Sequence, residues 1–223
     1  EVTVEYNETA EVAFENIEKT GEIKVTKTTV GNINVSGITF NLRGTSDSGR
    51  DIDIPAVTDE NGVAIFSEIP IGTYTIYEDE KTVPTAYLVA DPQNVTVTYA
   101  ETKEVPIENK EKTGSITVHK TTEGQKNIEG IKFYLRGTSD SGRAIDIPAT
   151  TDKDGIAKFD GVPIGTYMVI EDEETVPYGY LVADEKEVKV EYAQTIDETI
   201  LNNEQTGTVK VHKKTADMTN VEG

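Results

Sequence analysis

Residues Gly21–Lys27 read GEIKVTK, and the placement of the second lysine decides what kind of domain this is. In a β-strand, successive side chains point to opposite faces. Ile23 and Val25 then share the buried face, Lys24 points to water, and Lys27 continues the face of the core residues. Burying an ammonium group without a partner costs several kcal/mol or forces it to neutralise. The remaining sequence must therefore supply something for Lys27 to meet.

The motif recurs as GSITVHK at Gly114 and GTVKVHK at Gly207, and a longer block recurs with it. FNLRGTSDSGRDIDIPAVTDENGVAIF at Phe40–Phe66 returns as FYLRGTSDSGRAIDIPATTDKDGIAKF at Phe133–Phe159, 93 positions later. Extended over 21–113 and 114–206, the alignment has no gaps, and about three-fifths of the positions are identical. A closing motif also occurs three times, as EVAFEN ending at Asn16, EVPIEN ending at Asn109 and ETILNN around Asn202. Internal repetition at a fixed period marks tandem units. The expected organisation is two whole repeats, 21–113 and 114–206. Residues 1–20 read as the last strands of a preceding repeat, and 207–223 as the first strand of a following one.

Within each repeat the pattern is all-β. Runs such as GITFNL, VAIF, TYTIYE, AYLVA and NVTVTY are separated by turn signals at Asn61-Gly62, Pro70-Ile71-Gly72 and Asp91-Pro92. Short strands at this spacing predict a β-sandwich of the immunoglobulin-like kind, repeated along the chain. The joint NKEKTG is short, so adjacent domains are expected end to end with limited bending.

Composition excludes several functions. The net charge is −20 over 223 residues, which leaves no basic patch for nucleic acid and disfavours an anionic membrane surface. No run is long and apolar enough to span a bilayer. No positively charged, apolar leader opens the sequence, so any secretion signal is expected outside it or already removed. Cysteine is absent, which rules out disulfides and thiolate metal sites. No cofactor is expected.

The parity that places Lys27 inward applies to two other strands. Tyr74 and Ile76 alternate with Glu78 in phase, and Val105 and Ile107 alternate with Asn109 in phase. The second repeat matches with Ile116, Val118 and Lys120, with Tyr167, Val169 and Glu171, and with Ile200 and Asn202. Its signal is weaker, because Met168 and Ile170 are also apolar and Glu198 stands before Ile200. The flanking pieces keep the rule, with Phe14 before Asn16 and Val211 before Lys213.

Buried polar groups generally find one another. A Lys–Glu ion pair beside a hydrogen-bonding Asn is one reading, and it adds little net stability because desolvation offsets attraction. A chemical reading is also open. A lysine in an apolar pocket is partly the neutral, nucleophilic amine, and a carboxyl there can carry a proton. The amine could attack the Asn amide carbon while the acid polarises its carbonyl and shuttles the proton. Ammonia would leave and an amide cross-link would remain.

The motif GEIKVTK, the block TDENGVAIFSEIPIGTYTIYED and the ending PIEN resemble the CnaB or SpaA-type repeats of Gram-positive surface adhesins and pilins. The specific part is T-D-x-x-G-x-A-x-F-x-x-[IV]-P-x-G-x-Y, at Thr58–Tyr74 and again at Thr151–Tyr167. The resemblance implies a prealbumin-like β-sandwich and a spontaneous isopeptide bond between a first-strand Lys and a last-strand Asn, assisted by a buried acid. By position it implies Lys27 to Asn109 with Glu78, and Lys120 to Asn202 with Glu171. Asn16 and Lys213 would be unpaired halves of flanking repeats. The implied role is a stalk repeat of a cell-wall-anchored surface protein, not an enzyme beyond one self-modifying turnover. Its partners would be neighbouring repeats, with a host or matrix ligand bound through other domains. Two alternatives are repeats that bind such a ligand themselves and segments of a sortase-assembled pilus.

Other features compete less well. Asp79 could replace Glu78 as the acid, though its parity follows Thr75 and Tyr77, and Asn203 could replace Asn202. DENG and DKDG hint at calcium loops but lack the ligand spacing of an EF-hand. GRD at Gly49–Asp51 is not RGD, and the shared RGTSDSGR reads as an extended hairpin rather than a ligand loop. His119 and His212 lie off the lysine face with no partner cluster for zinc. Asn94 and Asn34 sit in short glycosylation-like patterns.

Overall fold

A computed structural model of the chain describes residues 2–124, 126, 128–213 and 216. Two compact units emerge, one built on residues up to Lys112 with Asp140–Arg143, the other on Thr113–Ser139 and the residues from Ala144.

In the first unit the strands are β1 (Thr20–Thr29), β2 (Thr39–Ser46), β3 (Asp51–Val57), β4 (Val63–Pro70), β5 (Gly72–Glu78), β6 (Gln93–Val97) and β7 (Thr102–Asn109). They form a three-stranded sheet in the order β4-β1-β7 and a four-stranded sheet in the order β3-β2-β5-β6. Alternation along each strand puts one face in the core. Ile23 and Val25 of β1, Phe40 and Leu42 of β2, and Tyr74 and Ile76 of β5 are all buried in one cluster. Each fully buried aliphatic or aromatic side chain contributes roughly 1.5–3 kcal/mol.

The first and last strands lie side by side. β1 pairs antiparallel with β4 on one flank and parallel with β7 on the other. β7 is thus an edge strand, which accommodates Pro106, and the edge strand β3 accommodates Pro55 for the same reason. Gly44 in β2 has φ +154, and a Cβ there would come within 2.9 Å of the Tyr74 ring. The missing side chain lets that ring lie across β2, where its hydroxyl donates to the Pro70 carbonyl at 2.8 Å.

The second unit repeats this plan with β8 (Thr113–Thr122), β9 (Lys132–Ser139), β10 (Ala144–Thr150), β11 (Ile156–Pro163), β12 (Gly165–Glu171), β13 (Lys186–Val190) and β14 (Thr195–Asn202). Its sheets are β11-β8-β14 and β10-β9-β12-β13.

Two expectations are corrected. Ala86–Ala90 (AYLVA) is not a strand but a loop between β5 and β6, with one isolated bridge from Tyr87 to Glu111. The flanking residues 2–19 and 206–213 form no strand, and Phe14, Asn16, Val211 and Lys213 are exposed, while 214–215 and 217–223 of the expected following strand lie outside the described residues. A lone strand has no ladder to satisfy its backbone and no sheet against which to bury alternate side chains. Among the described residues, no helix is long and apolar enough to cross a membrane.

Candidate functional site

Lys27 lies near the C-terminal end of β1, opposite Ile107 of β7, and Asn109 lies two residues further along β7 opposite Thr29. The shared face points inward, so Lys27 is 2% and Asn109 1% exposed. Glu78 ends β5 in the facing sheet, level with Phe40, and aims its carboxylate into the same space. The side chains of Lys27 and Glu78 are closed to solvent, with Nζ 4.0 Å from Oε1. The lysine Nζ also donates to the Thr28 carbonyl at 2.6 Å.

The second unit rebuilds this arrangement. Lys120 faces Ile200, Asn202 lies two residues further along, and all three are buried. Lys120 Nζ is 3.6 Å from Glu171 Oε1 and donates to the carbonyls of Thr121 at 2.6 Å and Ile200 at 3.2 Å. Tyr167, Val169 and Glu171 point inward together, which resolves the ambiguous face of β12. Glu198, standing where the first unit has Val105, is only partly exposed and pairs with Lys186 at 3.6 Å.

Burial holds the Lys27 ammonium below the ordinary lysine value of 10.5, and the Glu78 and Glu108 carboxylates only partly oppose this. Burial lowers Lys120 in the same way against the pull of Glu171. Each lysine is therefore shifted toward its nucleophilic amine form.

The hydrogen bonds around the asparagine fix which end of its amide faces the acid. Asn109 Nδ2 donates to Glu78 Oε2 at 2.6 Å and to the Leu88 carbonyl at 2.7 Å. Asn202 Nδ2 donates to Glu171 Oε2 at 2.6 Å and to the Leu181 carbonyl at 2.8 Å. Two acceptors on one nitrogen leave no role there for the amide oxygen. In both units the acid thus contacts the amide nitrogen. The backbone N–H of Ala90 completes the cradle by donating to Glu78 Oε2 at 2.7 Å, as that of Ala183 does to Glu171 at 2.8 Å. The other oxygen, Oε1, is buried without a hydrogen-bond partner in both units, and it is the one that faces the lysine. Each carboxylate therefore bridges amine and amide, one oxygen to each.

The SpaA family, a prealbumin-like fold domain, matches residues 21–111 and 114–206. The chain belongs to the SpaA family. Among solved structures, the SpaA chain is similar to the TIE protein of Bacillus anthracis, with a TM-score of 0.61 and 20% identity. That match covers 83% of this chain and 34% of the other, so the chain spans about a third of the TIE protein's length. The minor pilin of Streptococcus agalactiae matches 87% of this chain and all of its own at 18% identity, with a TM-score of 0.41. The shaft pilin of Lactobacillus rhamnosus GG matches 86% of this chain and all of its own, also at 18% identity, with a TM-score of 0.36. No curated protein matches.

The competing residues lie elsewhere in these SpaA domains. Asp79 accepts the Lys81 N–H at 3.1 Å in the turn after β5, and Asn203 is exposed. Asp59 of DENG accepts the N–H groups of Asn61 and Val63 at 2.9 and 2.8 Å, and the Val63 bond is the main reason its carboxyl is held below the usual range. Asp152 does the same in DKDG with Asp154 and Ile156. His119 pairs on the surface with Asp197 at 3.1 Å. Among the described residues, no cluster of three or more His, Cys, Asp or Glu could hold a metal. The Leu88 and Ala90 backbone groups have no side-chain signature. Their one trace in the sequence is YLVAD, identical at Tyr87–Asp91 and Tyr180–Asp184.

Proposed function

We propose that these domains are stalk repeats of a Gram-positive surface protein, each closed by a spontaneous isopeptide bond, Lys27 to Asn109 and Lys120 to Asn202. The observation that carries this reading is the carboxylate held between amine and amide in both units. In the reaction, neutral Nζ attacks the asparagine Cγ and the Cγ–Nδ2 bond breaks. A proton leaves Nζ, and Nδ2 must gain one to depart as ammonia. Oε1 on the amine side and Oε2 on the amide side give Glu78 and Glu171 that relay. No oxidant or cofactor enters the balance, and the product is one amide bond and one ammonia per repeat.

The mechanical consequence follows from the position of the bond. Load enters a repeat through β1 and leaves through β7. A covalent link between them bypasses the 81 residues in between, which then never have to unravel. Closing such a loop also stabilises by roughly 4 to 5 kcal/mol in the chain-entropy model. A chain without cysteine would obtain this without an oxidising compartment. On this reading the parent protein works at the cell surface, anchored to the wall and beside other repeats.

Tryptic digestion followed by tandem mass spectrometry tests the proposal. It should yield a branched peptide joined at Lys27 and Asn109 and a second joined at Lys120 and Asn202. Glu78→Gln, which keeps the shape but cannot take the proton, should abolish the first and spare the second. Linear peptides alone from the wild-type chain would refute the cross-link.

A further inference from the structure

Glu18 and Lys19, which lead into β1, and Thr20, which opens it, are held by the unit they enter. Glu18 Oε2 accepts from Arg50 Nη1 at 2.8 Å, and Glu18 Oε1 accepts from the Ser48 hydroxyl. The Lys19 carbonyl accepts the Ile71 N–H at 3.0 Å, and the Thr20 carbonyl accepts the Ala100 N–H at 2.8 Å. The Lys19 ammonium lies 5.7 Å above the Tyr99 ring.

The receiving loop, between β2 and β3, is braced independently of Glu18. The Ser46 N–H donates to the Arg50 carbonyl at 2.8 Å, and the Arg50 N–H donates to Ser46 Oγ at 3.0 Å. Ser46 Oγ also meets Ser48 Oγ at 2.8 Å, and the Asp47 N–H reaches the Ile71 carbonyl at 3.0 Å. Ile71 thus touches the loop through its carbonyl and the linker through its N–H. A guanidinium and a hydroxyl converging on one carboxylate form a charge-assisted recognition pair.

We propose that the RGTSDSGR loop is a receptor for the linker carboxylate, latching the segment that enters each repeat onto the body of that repeat. The loop's ligand is thus a glutamate of the same chain. The sequence carries the same parts 93 positions on, with Glu111, Ser141 and Arg143, and Glu204 continues the series. A lone exposed ion pair is weak. Here the pair acts beside two backbone hydrogen bonds on adjacent residues, so releasing Glu18 loosens the segment they hold. The latch does not depend on the cross-link.

Residue-resolved amide exchange on the whole chain tests it. Glu18→Ala and Arg50→Ala should each speed exchange at Ile71 roughly two- to fivefold, the scale of one exposed pair. Val25 in the middle of β1 should be unchanged. Arg43→Ala, which removes a comparable exposed pair with Asp53 in the same hairpin, should leave Ile71 unaffected. An unchanged Ile71 in the two latch variants would overturn the proposal. So would an equal effect of Arg43→Ala, or acceleration spread evenly through β1.

Discussion

Lys27 and Lys120 are the residues whose ionisation separates a cross-linked repeat from an uncross-linked one. In a chain carrying Asn109→Ala and Asn202→Ala, both lysines stay free amines. Their folded values lie below 10.5, lowered mainly by burial, whereas the unfolded chain titrates near 10.5. Between the two values the unfolded state binds more protons, so stability rises with pH across that window. The penalty is fully present below the folded value and gone above 10.5. In the wild-type chain the same nitrogens would be amides and would not titrate. Tyr74, raised mainly by burial, titrates in both chains and cancels in the difference. The urea midpoint of the variant should therefore approach that of the wild type as pH rises from neutrality toward 10.5. A midpoint difference that stays constant with pH would mean that the wild-type lysines are also free.

At the scale of strands and turns, the site depends on how the β3–β4 turn meets β1. The Lys27 N–H donates to the Gly62 carbonyl at 2.7 Å. Gly62 has φ +75, and a Cβ there would lie 2.6 Å from the Lys27 carbonyl oxygen. Gly62→Ala should therefore cost about 1–3 kcal/mol in urea unfolding, from backbone strain and displacement of the turn. Gly37→Ala, with φ +76 but open space around it, should cost less. Equal costs would show that the turn does not press on β1.

Strand parity is also what made much of the site legible. Period-two alternation locates Lys27, Glu78 and Asn109 because each ends a run of core residues, and one buried face admits no other register. It fails at Ala86–Ala90, where apolar residues line a loop that folds back on the residues after β7. There the functional groups are the Leu88 carbonyl and the Ala90 N–H, which every residue but proline carries. It also leaves Glu171 ambiguous, since Met168 and Ile170 are half-buried on the other face of β12. Which amide atom faces the acid is set by the three-dimensional positions of two acceptors, and no spacing in the sequence encodes that.

For the whole molecule, the predicted bonds change what a pulling experiment sees. With both in place, stretching the chain from its ends should release neither repeat. Lys27→Ala should add one unfolding step of about 280 Å, the extended length of 81 residues. Lys120→Ala should add a second step of the same size. Full-length steps in the wild-type chain would contradict the stalk function even if the fold is intact. The most direct measurement is the intact mass of the denatured wild-type chain. Two bonds predict a mass lower than the sequence mass by two ammonias, about 17 Da each, with Lys27→Ala and Lys120→Ala each restoring one ammonia relative to its own sequence mass. A wild-type mass equal to the full sequence mass would contradict the account, leaving two sandwiches with buried Lys–Glu pairs and no covalent closure.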